Sequence, residues 1–373
     1  MARETTILMT AVLALVSFGA LMVYSAAALD PNAHTVLTRQ PIYIAIGFVG
    51  MIIASRFDYR HFKDPVLFRG LIAITLTLLV LVLVPGIGTN VDGGQRWLRL
   101  GPLGFQPSEV AKFVLIVWLA VKLTDNRERL HTFFRGFMPP MLIAGLFTGL
   151  VLAERDLGVP IVMMASVFVM IFVAGTRWQY LVMCVAPCLA VGTILVALAP
   201  HRVARVMAFL NPYEHRESAG WHLIQSFSAF AQGGIWGRGP GASEQKLGYL
   251  PAAHTDFIFA VVGEEYGLAG TTALVLVFAV FLWMAFRIAI NARDHFGSIL
   301  ATGIAASIGV QTVLIMCVTT GLLPTKGLPL PFISYGGTAL IVMMGMTGVL
   351  ANIGAQAVAP QQQRKLVPAA VSM

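Results

Sequence analysis

Ionisable side chains are scarce in this chain, and a few stand where apolar segments begin or end. Asp256 leads them, in His254-Thr255-Asp256-Phe257, at the expected first turn of a helix. A carboxylate there has two readings: a helix cap, or a general base facing a cavity. The positive end of a helix favours the ionised form, so burial, or Glu264 and Glu265 further along, would have to offset that pull for Asp256 to work as a base. At ~100° and ~1.5 Å per residue, Glu264 and Glu265 stand too far down and around the helix to pair directly with Asp256. They read as an interhelical polar network.

Glu109 and Lys112 open another apolar segment, after Gln106-Pro107-Ser108. Their i,i+3 spacing lets them pair on one helix face, as a structural ion pair or as cavity lining. Arg155-Asp156 precedes Leu157-Gly158 in a tight connection, either a plain turn or part of the same polar network. Arg96, Arg202, Arg205, Arg238 and Lys326 fall on the same expected side of the chain as Asp256. Cations gathered there suit an anionic group such as a pyrophosphate, or simply anionic lipid.

The elements that hold these groups are apolar. The 373 residues are 57% hydrophobic and 11% charged, with mean hydropathy +0.80. A soluble domain carries roughly 25% charged residues. Ten apolar segments, roughly 7–28, 40–55, 67–84, 106–122, 138–153, 158–175, 180–199, 257–286, 299–320 and 334–356, are each expected to cross a membrane as a helix. The fold class is therefore all-α, a polytopic membrane domain over 1–356, followed by a polar, disordered tail over 357–373. The segment from Ile7 is too long for a signal-peptide core and reads as the first span.

Lys and Arg set the orientation. Arg3, the 56–69 and 122–135 clusters, Arg177, Arg287, Arg293, Arg364 and Lys365 give 14 charges on one side; Arg39, Arg96, Arg99, Arg155 and Lys326 give 5 on the other. Both termini are then cytoplasmic and Asp256 lies outside. The net charge of +8 is spread over short loops, which fits topology and anionic lipid rather than nucleic acid. Cys184, Cys188 and Cys317 sit in apolar runs and read as small hydrophobes.

Two outer segments exceed simple connectors: 85–105, and 200–255 with its glycines at 233, 234, 237, 239 and 241. The longer one is expected to be ordered and partly amphipathic on the membrane. No internal repeat of the inverted-transporter kind is evident, and no Walker, HExxH, GxSxG or zinc-spaced motif occurs.

Together, Asp92-Gly93-Gly94-Gln95-Arg96-Trp97, Gln106-Pro107-Ser108-Glu109, Asp156-Leu157-Gly158, His254-Thr255-Asp256-Phe257-Ile258-Phe259-Ala260 with Gly263-Glu264-Glu265, and Pro331-Phe332-Ile333-Ser334-Tyr335-Gly336-Gly337 resemble the SEDS family of shape, elongation, division and sporulation proteins. Arg205-Val206 before Asn211-Pro212, and Gln225-Ser226, fit as well. The resemblance runs over about 5–356, and Pro324-Thr325-Lys326-Gly327 is similar to the division branch.

That resemblance implies a peptidoglycan glycosyltransferase in the cytoplasmic (inner) membrane. It would polymerise lipid II onto an undecaprenyl-linked glycan with inversion, releasing undecaprenyl pyrophosphate. Asp256 would be the family's essential aspartate, and Arg96, Arg205 and Lys326 the pyrophosphate's cations. Glu109, Lys112, Asp156, Glu264 and Glu265 would form the cavity's polar network. The resemblance further implies a divalent cation (Mg or Mn) of unspecified ligands, a class B penicillin-binding protein as transpeptidase partner, and other divisome membrane proteins. The competing functions are a lipid II flippase, which calls for charge along the whole transmembrane path, and a non-catalytic divisome scaffold, which has no use for Asp256 at a cavity.

Overall fold

The computed structural model describes residues 3–27, 33–91, 94–101 and 103–366. Asp92 and Gly93 of the first motif, and 367–373 of the expected tail, lie outside the described residues. Ten long helices carry the apolar segments: α1 (Arg3–Ala27), α2 (Ala33–Arg56), α3 (Pro65–Leu83), α4 (Pro107–Asp125), α5 (Met138–Ala153), α6 (Gly158–Val173), α7 (Trp178–Ala197), α10 (Ile258–Ile290), α11 (His295–Thr319) and α12 (Thr338–Leu366). Between α7 and α10 lie two short helices, α8 (Pro200–Leu210) and α9 (Trp221–Gly233).

Eight of these helices are long and apolar enough to cross a membrane. Two further expected spans coincide with the shorter apolar α6 and with α4, which carries Glu109, Lys112 and Lys122. Large side chains such as Leu21, Ile53, Val66, Ile74, Leu142, Phe172, Leu189, Trp283 and Ile290 stand exposed around the bundle. In water such a surface would aggregate; against lipid tails it is solvated. The chain is a multi-pass membrane protein.

Local chemistry sets the helix ends. Proline opens α3, α4 and α8, where its missing N–H costs nothing. The Asp64 side chain caps α3 through Val66 N (2.9 Å) and Leu67 N (3.1 Å). The inner layer is α4 and α11, buried on nearly all sides. Around it α2 packs on α12, α1 on α10 and α6 on α11. By contrast α7 carries no buried residue at all.

Within 85–105 the described residues form a small antiparallel sheet in the order β1 (Gly88–Val91), β2 (Gly94–Leu100), β3 (Leu103–Phe105). Its register is tied to the end of α3 by Gln95 Nε2, which donates to Val84 O (3.0 Å) and Gly88 O (3.2 Å). Helix α12 continues beyond 356 to Leu366. Finally, α10 starts at Ile258 with Phe257 as its cap residue, so Asp256 precedes the helix instead of lying in its first turn.

Candidate active site

Four connections meet at one end of the bundle. They are the β1–β3 sheet between α3 and α4, the 154–157 turn between α5 and α6, the 252–257 approach to α10, and the 320–337 segment between α11 and α12. With the start of α2 they enclose a cavity of about 550 Å³. Its lining includes Arg39 and Tyr43 of α2, Arg96, Trp97 and Arg99 of β2, Glu109 of α4, Asp156, Asp256 and Tyr335.

Asp256 is half-buried and held by its neighbours. The Ser334 hydroxyl donates to Thr255 O, and Tyr335 N donates to His254 O (2.9 Å), so the motif before α10 is bolted to the motif before α12. The Tyr335 ring lies edge-on to His254 and to Tyr43. Gly327 leaves room for the carboxylate: a Cβ there would stand 3.3 Å from Asp256 Oδ2. This gives the Pro-Thr-Lys-Gly stretch a steric role beside the aspartate.

Asp156 does two jobs. Its Oδ1 accepts from Gly158 N (2.7 Å) and Val159 N (3.4 Å), capping α6. Its Oδ2 faces Arg96 Nη1 at 3.4 Å. Lys326 stands within electrostatic reach of Asp156; burial pushes its ammonium down in pKa, and the Asp156 charge pulls it back up. The expected Glu109–Lys112 pair is present at 2.8 Å, both side chains buried, as an ion pair rather than an aligned hydrogen bond. Lys112 Nζ also donates to Gln311 Oε1 (2.8 Å), and Gln311 Nε2 donates to Pro329 O (2.8 Å). The pair thereby braces the 327–337 segment that lines the cavity.

Strain gathers here. Among the described residues, the non-glycine positions with left-handed backbone are Arg155 (φ 63°), Ala252 (φ 54°) and Phe332 (φ 65°). One lies in each of three connections that bound the cavity. Such conformations cost of order 1–3 kcal/mol each and cluster where function requires them.

Other expectations land elsewhere. Arg205, on α8, is not among the cavity's lining residues. It faces His222, whose ring stacks on Phe257 at 5.7 Å; burial first, then Arg205, lowers the His222 pKa. Glu264 and Glu265 also do not line the cavity. Glu264 accepts from Ser243 Oγ, Glu244 N (2.8 Å) and Gln245 N (3.3 Å), and Glu265 pairs with Lys246 (3.1 Å). They clamp the long connection instead, because their rotation along α10 points them at 238–246.

Sequence reasoning missed Arg39, Arg99 and Tyr335 as lining groups, and Glu154 altogether. Arg39 and Arg99 were legible only as cations on the sparsely charged side. Glu154 is fully buried behind the cavity; burial first, then Asp156, pushes its carboxyl up to about 8. Among the described residues no three His, Cys, Asp or Glu side chains form a metal cluster.

The sequence matches the cell cycle protein family of FtsW, RodA and SpoVE over residues 5–358. The chain belongs to the FtsW/RodA/SpoVE family. It is 43% identical over 357 residues to a probable peptidoglycan glycosyltransferase FtsW from Geobacter sp. (strain M18), covering 94% of this chain and 96% of that one. Its fold is similar to a chain of a peptidoglycan synthase complex that coordinates polymerization and crosslinking, with TM-score 0.80, 31% identity and coverage of 94% and 97%. It is also similar to the rod shape determining protein RodA of Thermus thermophilus, with TM-score 0.69, 28% identity and coverage of 94% and 96%. The family match takes in every residue that lines the cavity.

Proposed function

We propose that this FtsW/RodA/SpoVE family member is a division peptidoglycan glycosyltransferase that polymerises lipid II. The observation that carries the reading is one cavity, at one end of an apolar bundle, holding the Asp256 carboxylate together with Arg39, Arg96 and Arg99. A sugar hydroxyl is a poor nucleophile, so a carboxylate must take its proton as the new bond forms. A pyrophosphate leaving group needs no proton, but it needs cations where charge develops. One base and several arginines therefore suffice, in contrast to the two carboxylates of a glycosidase.

In the reaction, Asp256 accepts the proton of the acceptor's GlcNAc 4-hydroxyl. That oxygen attacks the anomeric carbon of the donor's terminal MurNAc, with inversion, and undecaprenyl pyrophosphate departs. Arg39, Arg96 and Arg99 hold the pyrophosphate; Lys326 is not among the lining residues and contributes at longer range, from within electrostatic reach of Asp156. A magnesium or manganese ion would arrive on the pyrophosphate itself, since such ions are commonly held by substrate phosphates and few carboxylates. By the charge count of the short loops, the cavity opens on the outer face of the inner membrane and both termini are cytoplasmic. The similarity to a complex that couples polymerization to crosslinking supports a class B penicillin-binding protein as partner. Other division membrane proteins would assemble on the same chain.

A flippase would place charges along the transmembrane path, whereas the cavity's arginines gather at one end. The test is polymerisation of labelled lipid II by the purified protein with its transpeptidase, wild type against Asp256→Asn. Glycan from wild type and none from the variant supports the reading. Equal glycan from both removes Asp256 as base, and no glycan from either, with both folded and partner-bound, returns the reading to a flippase or scaffold.

A further inference from the structure

We propose that the groove between α1 and α2 binds one phospholipid whose headgroup carries N–H donors, as ethanolamine does, with the headgroup held at Gln40 and an acyl chain running from Ile44 to Phe48. The groove lies on a different face of α2 from the Asp256 cavity, and the proposal does not depend on the reaction assigned there.

The groove encloses about 460 Å³. Ala20 and Val23 of α1 and Pro41, Ile44, Ala45 and Phe48 of α2 line it. It faces the surroundings of the bundle: Leu21, Tyr24, Ile42, Ile46 and Val49, on the same stretches of the two helices, are exposed. In a membrane that surface meets lipid chains.

Two polar atoms interrupt the apolar wall. Gln40 lines the groove and is only 5% exposed, and its Oε1 has no hydrogen-bond partner. Leu37, one turn earlier, lines it too. In a regular helix Leu37 O would accept from the N–H of residue 41, but that residue is Pro41 and has none. Buried acceptors are nearly always paired, so this end of the groove is suited to receiving a donor. Among the described residues no charged side chain lines the groove. Arg39 and Tyr43, each one position before Gln40 and Ile44, line the Asp256 cavity instead. A step of ~100° along α2 separates the two faces.

The order of polarity along the groove is that of a lipid. Helix α2 has 24 residues. At ~1.5 Å per residue it is about 36 Å long, more than the ~30 Å of hydrocarbon. Its first two turns carry His34, Thr35, Thr38 and Arg39. Gln40 therefore stands near the headgroup boundary, and Phe48, about 12 Å further along, stands among the chains. An ethanolamine ammonium offers its N–H groups to Gln40 Oε1 and Leu37 O, and the acyl chain below needs no polar partner. An isoprenoid chain supplies no donor. A choline headgroup, whose nitrogen carries only carbon, supplies none either.

The experiment places the purified full chain in phosphatidylcholine vesicles with a trace of a phospholipid bearing a diazirine on its acyl chain, and maps the labelled peptides by mass spectrometry. The probe has either an ethanolamine or a choline headgroup. The ethanolamine probe is expected to label 20–24 and 37–48 of the wild type about tenfold more than the choline probe, the effect of one hydrogen bond from a charged donor. Gln40→Leu, similar in size and without the acceptor, should bring the two probes level. Ala45→Trp, at an exposed position, should fill the groove and remove the ethanolamine probe's excess. Equal labelling by both probes in the wild type overturns the proposal, since the groove then takes bulk lipid without recognition. A preference that survives Gln40→Leu overturns it too. If undecaprenyl phosphate displaces the ethanolamine probe while unlabelled phosphatidylethanolamine does not, the groove belongs to an isoprenoid chain and the proposal fails. No labelling of either segment by either probe overturns it in favour of a helix of another protein. Should Gln40→Leu fail to fold, the headgroup comparison in the wild type and in Ala45→Trp still decides.

Discussion

The carboxylates of Glu264 and Glu265 and the carboxylates around Asp256 occupy neighbouring parts of one molecule and solve opposite problems. The first pair is saturated. Glu264 accepts two backbone N–H groups and the Ser243 hydroxyl, and lies 3.6 Å from Arg238. Glu265 meets Lys246 and accepts from Ser25 Oγ at 2.6 Å. Backbone joins in: Arg238 N and Gly239 N donate to the Glu264 and Glu265 carbonyls, and Leu268 N and Ala269 N donate to Gly234 O and Ile235 O. This pairing occupies a break in α10 at Gly267 (φ 65°, ψ −162°), where only glycine lets the two chains approach so closely. The second region gathers three arginines and the carboxylates of Asp156 and Asp256 around an open volume, with three strained backbones in the connections that bound it. Satisfied polar groups hold a fold together, while charges and strain gathered around a cavity mark the place where a ligand completes the structure.

Two substitutions separate the regions most sharply. Asp256→Asn is expected to lower lipid II polymerisation by about 10²–10⁴-fold, the usual worth of a general base, with the melting temperature unchanged. Glu264→Ala should do the reverse. It leaves the Ser243 hydroxyl and the Glu244 and Gln245 N–H groups without their acceptor, at a cost of about 1–3 kcal/mol in stability. The checks are a melting curve and proteolysis of 238–246, with polymerisation normalised to folded protein. A Glu264→Ala protein that melts normally yet makes no glycan would collapse the distinction.

Arg39→Ala should have a smaller effect, confined to the cavity. One charge-assisted contact of about 1.5–3 kcal/mol corresponds to a 10-fold to 100-fold loss in kcat/KM. The same substitution at Arg205, which does not line the cavity, should cost less than Arg39→Ala in the same assay. The reverse ranking would move the pyrophosphate toward α8.

The contrast between the regions was only half legible in the sequence. Asp256, Glu109, Asp156 and Arg96 stood out because an apolar chain makes any charge at a segment end conspicuous, and they do share a cavity. The Glu109–Lys112 pair followed from helix periodicity alone. Arg39 was hidden because α2 begins earlier than its apolar run, which put the arginine in a connector on paper. Arg99 was hidden with the sheet, whose alternation only shows once β2 is paired. Nothing local marks Glu154 as buried, since its burial comes from the sheet seating on the 154–157 turn. That Glu264 and Glu265 do not pair with Asp256 was readable from their separation along the chain, but their partners in 238–246 were not, because a kink in α10 at Gly267 and a glycine-rich approach create that contact at long range.

The smallest effect belongs to an ion pair at the other end of the bundle, which calibrates the comparison. Asp294 caps α11 through Gly297 N (2.7 Å) and also accepts from Tyr59 Oη (2.7 Å) and Arg60 Nε (3.1 Å). Burial pushes its carboxyl up, but the Gly297, Tyr59 and Arg60 contacts outweigh that and hold it below the usual carboxylate range. A lowered carboxyl contributes stability that is present above its unfolded value, about 3.9 for aspartate, and is lost as pH falls through the folded value. Arg60→Ala removes one of the three donors from a pair that is about a third exposed. It should cost about 0.2–1 kcal/mol at neutral pH, move the acid unfolding midpoint to higher pH, and leave polymerisation per folded molecule alone. A large loss of polymerisation from Arg60→Ala would mean that charge at either end of the bundle reaches the cavity, and the separation between a clamp that stabilises and a cavity that reacts would no longer hold.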